Sequence, residues 1–263
     1  MYKALYKDTH REAAMARYQH CIFDLYGTLV DIHTEETRPK LWREMSAWYR
    51  EHGADYRPGA LRDAYFRTVR LLEGADPLRN DAHEAHPEIR IEEVFQRLFQ
   101  EKGVDADLAL AIQTGERFRT ASLIHLRLYD GAVKLLETLR AHGQRVWLLS
   151  NAQRVFTMSE LRSLGIEGLF DGIYLSSDYG CKKPDPRFFG LLLQERGIDP
   201  ESAIMIGNDG VCDIQGAKGV GLSTLYIRSN ISPDEPLPEA DYVLEEMNLH
   251  RVRDILTQGV KLP

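Results

Sequence analysis

The chain has 263 residues, of which 43% are hydrophobic and 28% charged, a composition typical of an ordinary globular protein with a sizeable core. Its formal net charge of -7 argues against nucleic-acid binding, because the phosphate backbone is bound by basic surfaces. No apolar run is long enough to cross a membrane. Neither a nucleic acid nor a membrane is therefore an expected partner.

The three cysteines, Cys21, Cys181 and Cys212, form no CxxC pair and are odd in number. The sequence thus predicts neither a disulfide framework nor a thiolate metal site, and it favours a reducing, cytoplasmic location. The first residues mix charges throughout and lack the apolar segment of a signal peptide. Residues 1–17 are interpreted as a polar N-terminal extension, with Met15 as an alternative translation start.

The first predicted element is a buried strand in YQHCIFDLY, ending near Asp24. Between Ile32 and about Leu126 no strand is evident. Four stretches there have the apolar spacing of helices: KLWREMSAWYREHG, ALRDAYFRTVRLLEG, IEEVFQRLFQEKG and LALAIQTGERFRTASL. We interpret residues 32–126 as an all-helical segment inserted after the first strand.

The rest of the chain alternates helices with strands. The predicted helix DGAVKLLETLRAHG precedes the strand RVWLLS, and the helix RFFGLLLQERG precedes the strand AIMIGND. Further predicted strands are GIYLSS, STLYIRS and DYVL, and a helix closes the chain. This alternation indicates a Rossmann-like three-layer α/β core, with a mostly parallel sheet covered on both faces. Ligands of such sheets bind beyond the carboxyl ends of the strands.

Several side chains that could take part in catalysis or metal binding follow these strands or lie in the loops after them. They are Asp24, Ser150, Asn151, Lys183, Asp209 and Asp213. A single aspartate at a strand end is most often a cap, and Asp209 with Asp213 could merely cap the helix that follows. A hydroxyl, an ammonium and several carboxylates at one sheet edge are harder to explain by capping. Together they predict a catalytic site.

The same stretches resemble, in order, the four motifs of the haloacid dehalogenase superfamily: FDLYGTLVD, LLSNA, KKPDPRFF and IGNDGVCDIQGAKGVG. The resemblance implies a hydrolase with an α/β core formed by residues 18–31 and 127–263. Residues 32–126 would then be the helical cap domain that members of this family insert after the first motif.

The resemblance also implies catalytic roles. Asp24 matches the nucleophile, which forms a covalent aspartyl intermediate that water later releases. Ser150 would donate its hydroxyl to a phosphoryl oxygen, and Lys183, favoured over Lys182 because it directly precedes PDP, would supply a fixed positive charge. The substrate-binding residues expected beside them are Gly27, Thr28 and Asn151.

A magnesium site is predicted from the fourth motif. Asp209 and Asp213, together with Asp24, could form the oxygen-rich, hydrated site that Mg²⁺ prefers. The family also uses the backbone carbonyl two residues after the nucleophile, here that of Tyr26. Asn208 stands where many family phosphatases have an acid, so it is open which of Asp209 and Asp213 is a direct ligand.

Tyr26 separates two enzyme hypotheses. Family phosphatases usually have an aspartate there, which protonates the leaving group, and a tyrosine with an ordinary pKa of about 10 is poor at this task. The 2-haloacid dehalogenases of the superfamily usually have a tyrosine, since a halide leaves without a proton. This position taken alone favours dehalogenation.

Other positions favour a phosphatase. Dehalogenases resemble one another in a tyrosine, a serine and an asparagine whose places here hold Phe189, Asn208 and Gly210, and neither Arg43 nor Arg50 fits a halide-binding pattern. The acid pair would also be costly without a cation, because adjacent carboxylates repel. The sequence therefore favours Mg²⁺-dependent hydrolysis of a small phosphate monoester. A metal-independent 2-haloacid dehalogenase and a phosphoryl-ligand-binding protein without turnover remain as alternatives.

Overall fold

The computed structural model describes residues 17–74 and 87–258. The predicted N-terminal extension, including Met15, lies outside the described residues except for Arg17. Across the two described ranges, no helix has both the length and the apolarity needed to span a membrane.

The described residues contain eight strands. They are β1 (His20–Phe23), β2 (Val30–Thr34), β3 (Leu123–Leu128), β4 (Arg145–Ser150), β5 (Gly172–Leu175), β6 (Ala203–Gly207), β7 (Ser223–Ile227) and β8 (Tyr242–Leu244). Six of them form one sheet in the order β5-β4-β1-β6-β7-β8, and all of its neighbours are parallel. Strand β1 lies between β4 and β6, with Phe23 opposite both Leu148 and Ile206. The predicted parallel sheet is confirmed.

Two strands were missed by the sequence analysis. Strands β2 and β3 form an antiparallel ribbon that pairs Asp31 with Arg127 and His33 with His125. They occupy both ends of the segment that was expected to be helical throughout. Each strand is short and partly polar, and the strand it pairs with lies about ninety residues away in the chain, so no local pattern predicts the pairing.

The ten α-helices of the described residues are α1 (Pro39–Glu51), α2 (Pro58–Glu73), α3 (Ile91–Gln100), α4 (Leu108–Ser122), α5 (Ala132–Ala141), α6 (Arg154–Ser163), α7 (Ser176–Tyr179), α8 (Pro186–Arg196), α9 (Gly216–Gly219) and α10 (Leu249–Gln258). Helix α1 shows why these form: its buried Leu41, Met45 and Tyr49 recur every four residues on one face. The four predicted helices between the first two motifs are confirmed as α1 to α4.

The sheet is covered on both faces, which confirms the three-layer α/β class. On one face, side chains such as Phe23 and Leu148 pack against helices α5 and α10. On the other, alternating residues such as Ile22 and Leu149 pack against helices that include α8. The alternation follows from the two-residue repeat of a strand, which sends successive side chains to opposite faces.

Helices α1 to α4 have an apolar cluster of their own. Its large buried members include Leu41, Trp42, Tyr49, Tyr65, Phe95, Phe99 and Phe118, and it also takes in Phe156 from α6. This packing is what a separate helical unit requires, because a helix must bury its apolar face against a neighbour. The division into a core of residues 18–31 and 127–263 and a cap of residues 32–126 stays a prediction.

Candidate active site

Asp24 follows the central strand of the sheet directly, so the ends of both neighbouring strands lie beside it. Its backbone N–H donates to the carbonyl of Ile206 on β6 at 3.0 Å. Its side-chain Oδ1 accepts hydrogen bonds from Ser150 Oγ at 3.0 Å and from Lys183 Nζ at 2.8 Å. Within residues 17–74 and 87–258 no hydrogen bond to Oδ2 is found. One carboxylate oxygen is therefore held by two hydrogen bonds, and the described residues hold the other by none.

Lys183 lies inside the protein, with only 2% of its surface exposed. Its Nζ donates to Asp24 Oδ1 at 2.8 Å, to Asp213 Oδ1 at 2.6 Å and to the carbonyl of Leu149 at 2.9 Å. Burial by itself would lower the pKa of Lys183, but the carboxylates of Asp213 and Asp24 raise it above its usual value. The ammonium therefore stays charged at neutral pH.

Asp213 is bonded through both carboxylate oxygens. Oδ1 accepts from Lys183, and Oδ2 accepts from the backbone N–H groups of Asn208 and Asp209, each at 3.0 Å. Burial raises the pKa of Asp213 to about 6, although Lys183 opposes that rise. Through these hydrogen bonds Asp213 orients Lys183 and closes the loop after β6.

Asp209 caps the helical turn that follows. Its Oδ1 accepts from the N–H groups of Val211 at 2.9 Å and Cys212 at 2.7 Å, at the start of a π-helical turn, Gly210–Gln215. Capping, which the sequence left open for Asp209 and Asp213, thus describes what Oδ1 of Asp209 does. Its side chain also lines the central cavity.

Asn151 uses its side chain to hold the loop that carries Lys183. Its Oδ1 accepts from the Lys183 N–H at 2.8 Å, and its Nδ2 donates to the Lys183 carbonyl at 2.9 Å. Both ends of the amide are thus engaged, which differs from the expectation of a side chain available to the substrate. Asn151 still borders the cavity, and a direct contact with substrate stays a prediction.

Gly27 and Thr28, which were expected to bind substrate, are not among the cavity-lining residues, and a contact with substrate stays a prediction. Thr28 is fully buried, and its Oγ1 donates to Asn208 Oδ1 at 3.2 Å. Gly27 has a φ of 83°, and a Cβ there would overlap the Asn208 side chain. Gly27 thus leaves space for the Asn208 side chain, and Thr28 holds that side chain by a hydrogen bond.

Tyr26 borders the cavity, and its hydroxyl contacts two residues of α6. The hydroxyl donates to Glu160 and lies 3.0 Å from Thr157 Oγ1. Burial raises the pKa of Tyr26 above its usual value, and the nearby Glu160 carboxylate adds to the effect. The hydroxyl therefore stays protonated at neutral pH.

These side chains surround a cavity of about 220 Å³. Its lining consists of Asp24, Tyr26, Ser150, Asn151, Lys183, Asn208, Asp209, Cys212, Asp213, Ile231 and Pro233. The Cys212 thiol is no alternative nucleophile, because burial and the carboxylates of Asp209 and Asp213 raise its pKa to about 12. Among these residues, three carboxyl groups face a single ammonium. An anionic substrate would need further positive charge here.

A hydrated Mg²⁺ fits this donor set. Among the described residues no hydrogen bond to Oδ2 of Asp209 is found, the Tyr26 backbone adds a carbonyl oxygen, and the Asp24 carboxylate lies in the same lining, so the donors are hard oxygens. Asp213 has both oxygens engaged, so it is less suited to direct coordination. Among the residues that the structure describes, no cluster of three or more His, Cys, Asp or Glu side chains is close enough to enclose an ion. The fit is thus to an ion that keeps several waters.

Sequence reasoning did not identify every residue around the site. Ile231 and Pro233 line the cavity from a loop after β7, and Glu160 holds Tyr26 from α6. No motif marks them, because they reach the site only through the folding of distant segments. Of the two arginines considered for halide binding, Arg43 is exposed and Arg50 pairs with Asp55 at 2.9 Å on the surface.

Known phosphatases and dehalogenases are similar to this chain in sequence. Glyceraldehyde 3-phosphate phosphatase of Pyrococcus abyssi is 31% identical over 111 residues, 42% of this chain and 47% of the relative. The match thus spans about half the length of that relative. (S)-2-haloacid dehalogenase 4A of Burkholderia cepacia is 25% identical over 82% of this chain and 85% of its own.

The fold is also shared with solved structures. The 2-haloacid dehalogenase of Pseudomonas syringae pv. tomato superposes with a TM-score of 0.63 at 20% identity, covering 92% of this chain and 100% of the other. At that identity the likeness concerns the fold alone. The family model for haloacid dehalogenase-like hydrolases matches residues 18–221, which include all the site residues from Asp24 to Asp213. The chain belongs to the haloacid dehalogenase-like hydrolase family.

Proposed function

We propose that this hydrolase cleaves phosphate monoesters with Mg²⁺, through an aspartyl-phosphate intermediate on Asp24. The observation that carries the proposal is the state of the Asp24 carboxylate, which Ser150 and Lys183 hold through Oδ1 at 3.0 and 2.8 Å. A carboxylate is a weak nucleophile, so it must be fixed in line with its target. These two contacts leave Oδ2 without a hydrogen bond from the described residues, so it is the oxygen proposed to attack phosphorus.

The proposed reaction has two displacements. Asp24 Oδ2 attacks phosphorus, the bond to the leaving oxygen breaks, and the departing alkoxide takes a proton from water. Water then attacks the phosphorus of the aspartyl phosphate, which releases inorganic phosphate and restores the Asp24 carboxylate. Ser150 Oγ and the Lys183 ammonium lie where they can bind the phosphoryl oxygens in both steps.

Mg²⁺ would be held by Asp24, the Tyr26 carbonyl and Asp209, with waters completing its shell. When bound, it supplies the positive charge that this cavity lacks, since three carboxyl groups line it against one ammonium. Asp213 would serve the site by holding Lys183.

The choice of a phosphatase over a dehalogenase is supported by the phosphatase-named relatives and by the excess of carboxyl groups. The substrate is expected to be a small phosphorylated molecule. We further propose a cytoplasmic location, consistent with the free thiols of Cys21, Cys181 and Cys212.

The Tyr26 side chain predicts a dependence on the leaving group. Because its raised pKa and its bond to Glu160 prevent it from acting as an acid, the departing oxygen receives no proton from this position. We therefore expect aryl phosphates to be hydrolysed much faster than alkyl phosphates. Rates for p-nitrophenyl phosphate and glycerol phosphate, measured at saturating Mg²⁺, would check this. Equal rates would contradict it.

The proposed function is tested with the same aryl phosphate, with and without EDTA. We expect turnover with Mg²⁺, loss of turnover on chelation with recovery on adding the metal back, and no turnover in Asp24→Asn. Asp55→Asn is the matched control, because Asp55 forms only a surface ion pair with Arg50. Phosphate release by Asp24→Asn at the wild-type rate would rule the mechanism out.

A 2-haloacid dehalogenase is the second candidate, favoured by Tyr26 and by the long match to a dehalogenase-named relative. It predicts chloride release from 2-chloropropionate in the presence of EDTA. A third outcome, in which beryllium fluoride binds but no ester or haloacid is turned over, would indicate a phosphoryl-ligand-binding protein.

A further inference from the structure

Tyr26 contacts α6 through its hydroxyl and is linked to α4 through a carboxylate of α6. Its hydroxyl donates to Glu160 Oε2 and lies 3.0 Å from Thr157 Oγ1, both on α6. The other carboxylate oxygen of Glu160 accepts from Arg119 Nε of α4 at 2.6 Å. Three residues from three parts of the chain thus form one continuous polar contact.

This contact is buried. Glu160 is 5% exposed, and the Arg119 side chain is 15% exposed. The Arg119 guanidinium carbon lies 5.7 Å from the centre of the Tyr26 ring and 5.0 Å from that of Phe156. A carboxylate in such a place must be paired, because an unpaired buried charge is strongly destabilising. The pairing therefore constrains both helices and the Tyr26 side chain.

The position of the contact relates it to catalysis. Tyr26 comes two residues after Asp24 and forms part of the cavity wall. Its neighbouring turn is closed by the N–H groups of Thr28, Leu29 and Val30, which all donate to the Leu25 carbonyl. Tyr26 thus lies within the turn that directly follows Asp24.

We propose that Glu160 is a positioning residue, which fixes Tyr26 as the wall beside Asp24 and couples that wall to the docking of α4 through Arg119. The role of Glu160 in turnover rests on the proposed function. Glu160 itself takes no part in proton transfer. Its contribution is to hold the ring and the following turn in place.

Three variants separate the contacts. Tyr26→Phe removes only the hydroxyl, Glu160→Gln removes the charge that pairs with Arg119, and the double variant removes both. We expect kcat/KM for an aryl phosphate to fall about tenfold in each single variant, as for the loss of one hydrogen bond to a charged group. The double variant should lose little more than the worse single one, because both changes break the same contact. Arg119→Lys should retain more activity than Arg119→Gln.

The leaving group distinguishes positioning from acid catalysis. If Glu160 positions Tyr26, the loss in Glu160→Gln is the same for aryl phosphates of low and high leaving-group pKa. A loss that grows with leaving-group pKa would mean that Glu160 and Tyr26 relay a proton, and it would overturn the proposal. Unchanged kcat/KM in Glu160→Gln would also overturn it.

Hydrogen–deuterium exchange gives a readout that does not need turnover. We expect the amides of residues 28–30 to exchange faster in Glu160→Gln than in the wild type. Glu167→Gln is the control, since Glu167 pairs with Arg162 on the surface at 3.4 Å. If the wild type fails to hydrolyse aryl phosphates, the proposed function fails, but exchange still decides the role of Glu160. Equal exchange in the two variants would refute that role.

Discussion

At the scale of single residues, Lys183 determines the electrostatics of the site. One ammonium bridges the carboxylates of Asp24 and Asp213 and also donates to the Leu149 carbonyl. Without it, two carboxylates would share a buried space, and repulsion would raise the pKa of at least one of them. Lys183 thus offsets the negative charge of both carboxylates and places a positive charge beside Asp24, the proposed nucleophile.

Replacing Lys183 by methionine should therefore affect both activity and stability. We expect turnover to fall at least about a hundredfold, since one fixed electrostatic contact to the phosphoryl group is lost. Unfolding should become easier by about 3–5 kcal/mol, because the partners of a buried ion pair are left uncompensated. Urea unfolding and steady-state kinetics would measure the two effects.

The adjacent Lys182 provides the control for this change. It is more exposed than Lys183, and Lys182→Met should alter both quantities little. A Lys182→Met variant as impaired as Lys183→Met would show that the assignment of the charge to Lys183 is wrong.

At the scale of elements, the ribbon of β2 and β3 connects the helical segment to the sheet. Its Asp31 is buried and accepts from Arg127 Nε and Nη2 at 2.8 and 2.6 Å and from Asn230 Nδ2 at 3.0 Å. Asn230 directly precedes Ile231 of the cavity lining. The ribbon is thus tied to the loop that borders the site.

Asp31 should make stability depend on pH. Burial opposes ionisation, but hydrogen bonds from Asn230 and Arg127 and the His125 ring beside the carboxyl group lower its pKa from 3.8 to about 2. A carboxyl with a lowered pKa stabilises the fold above its unfolded pKa, and this contribution is lost as pH falls from about 4 toward 2. Over that pH range the free energy of unfolding, measured with urea, should fall more for the wild type than for Asp31→Asn. Asp63→Asn, at an exposed pair with Arg62, should behave as the wild type.

Helix α4, which carries Arg119, begins at a side-chain cap. Asp107 accepts from the N–H of Leu110 at 2.8 Å. Asp107→Ala should lower the free energy of unfolding by about 1 kcal/mol, the usual cost of losing such a cap. Asp105→Ala, at an exposed position before the helix, is the control. Equal stability of the two variants by thermal unfolding would contradict the capping role.

At the scale of the whole molecule, α6 joins two apolar clusters. Leu161 packs with the sheet, whereas Phe156 packs with the large side chains of α1 to α4. Because α6 follows Ser150 and Asn151 closely in the chain, packing of the helical segment bears on the site.

Removing this packing should therefore lower both stability and activity. Phe156→Ala should destabilise the protein by about 3–5 kcal/mol and also reduce kcat/KM, because α6 loses its packing contact with α4. Phe66→Ala is the comparison, since Phe66 packs at the margin of the same cluster, beside Trp42 and Tyr65. It should lose stability while keeping more activity. Equal losses of activity would show that α6 does not transmit the effect.

The sequence by itself determined the fold class, the six parallel strands, the helices α1 to α4 and the meeting of Asp24, Ser150 and Lys183. These follow from local periodicity and from the rule that parallel strands bring their carboxyl ends to one edge. The tertiary structure alone decided the β2–β3 ribbon, the use of Asn151 and Thr28 as supports, and the bond between Tyr26 and Glu160. Each of these depends on residues brought together from distant segments, and a local pattern in the chain carries no information about such a partner.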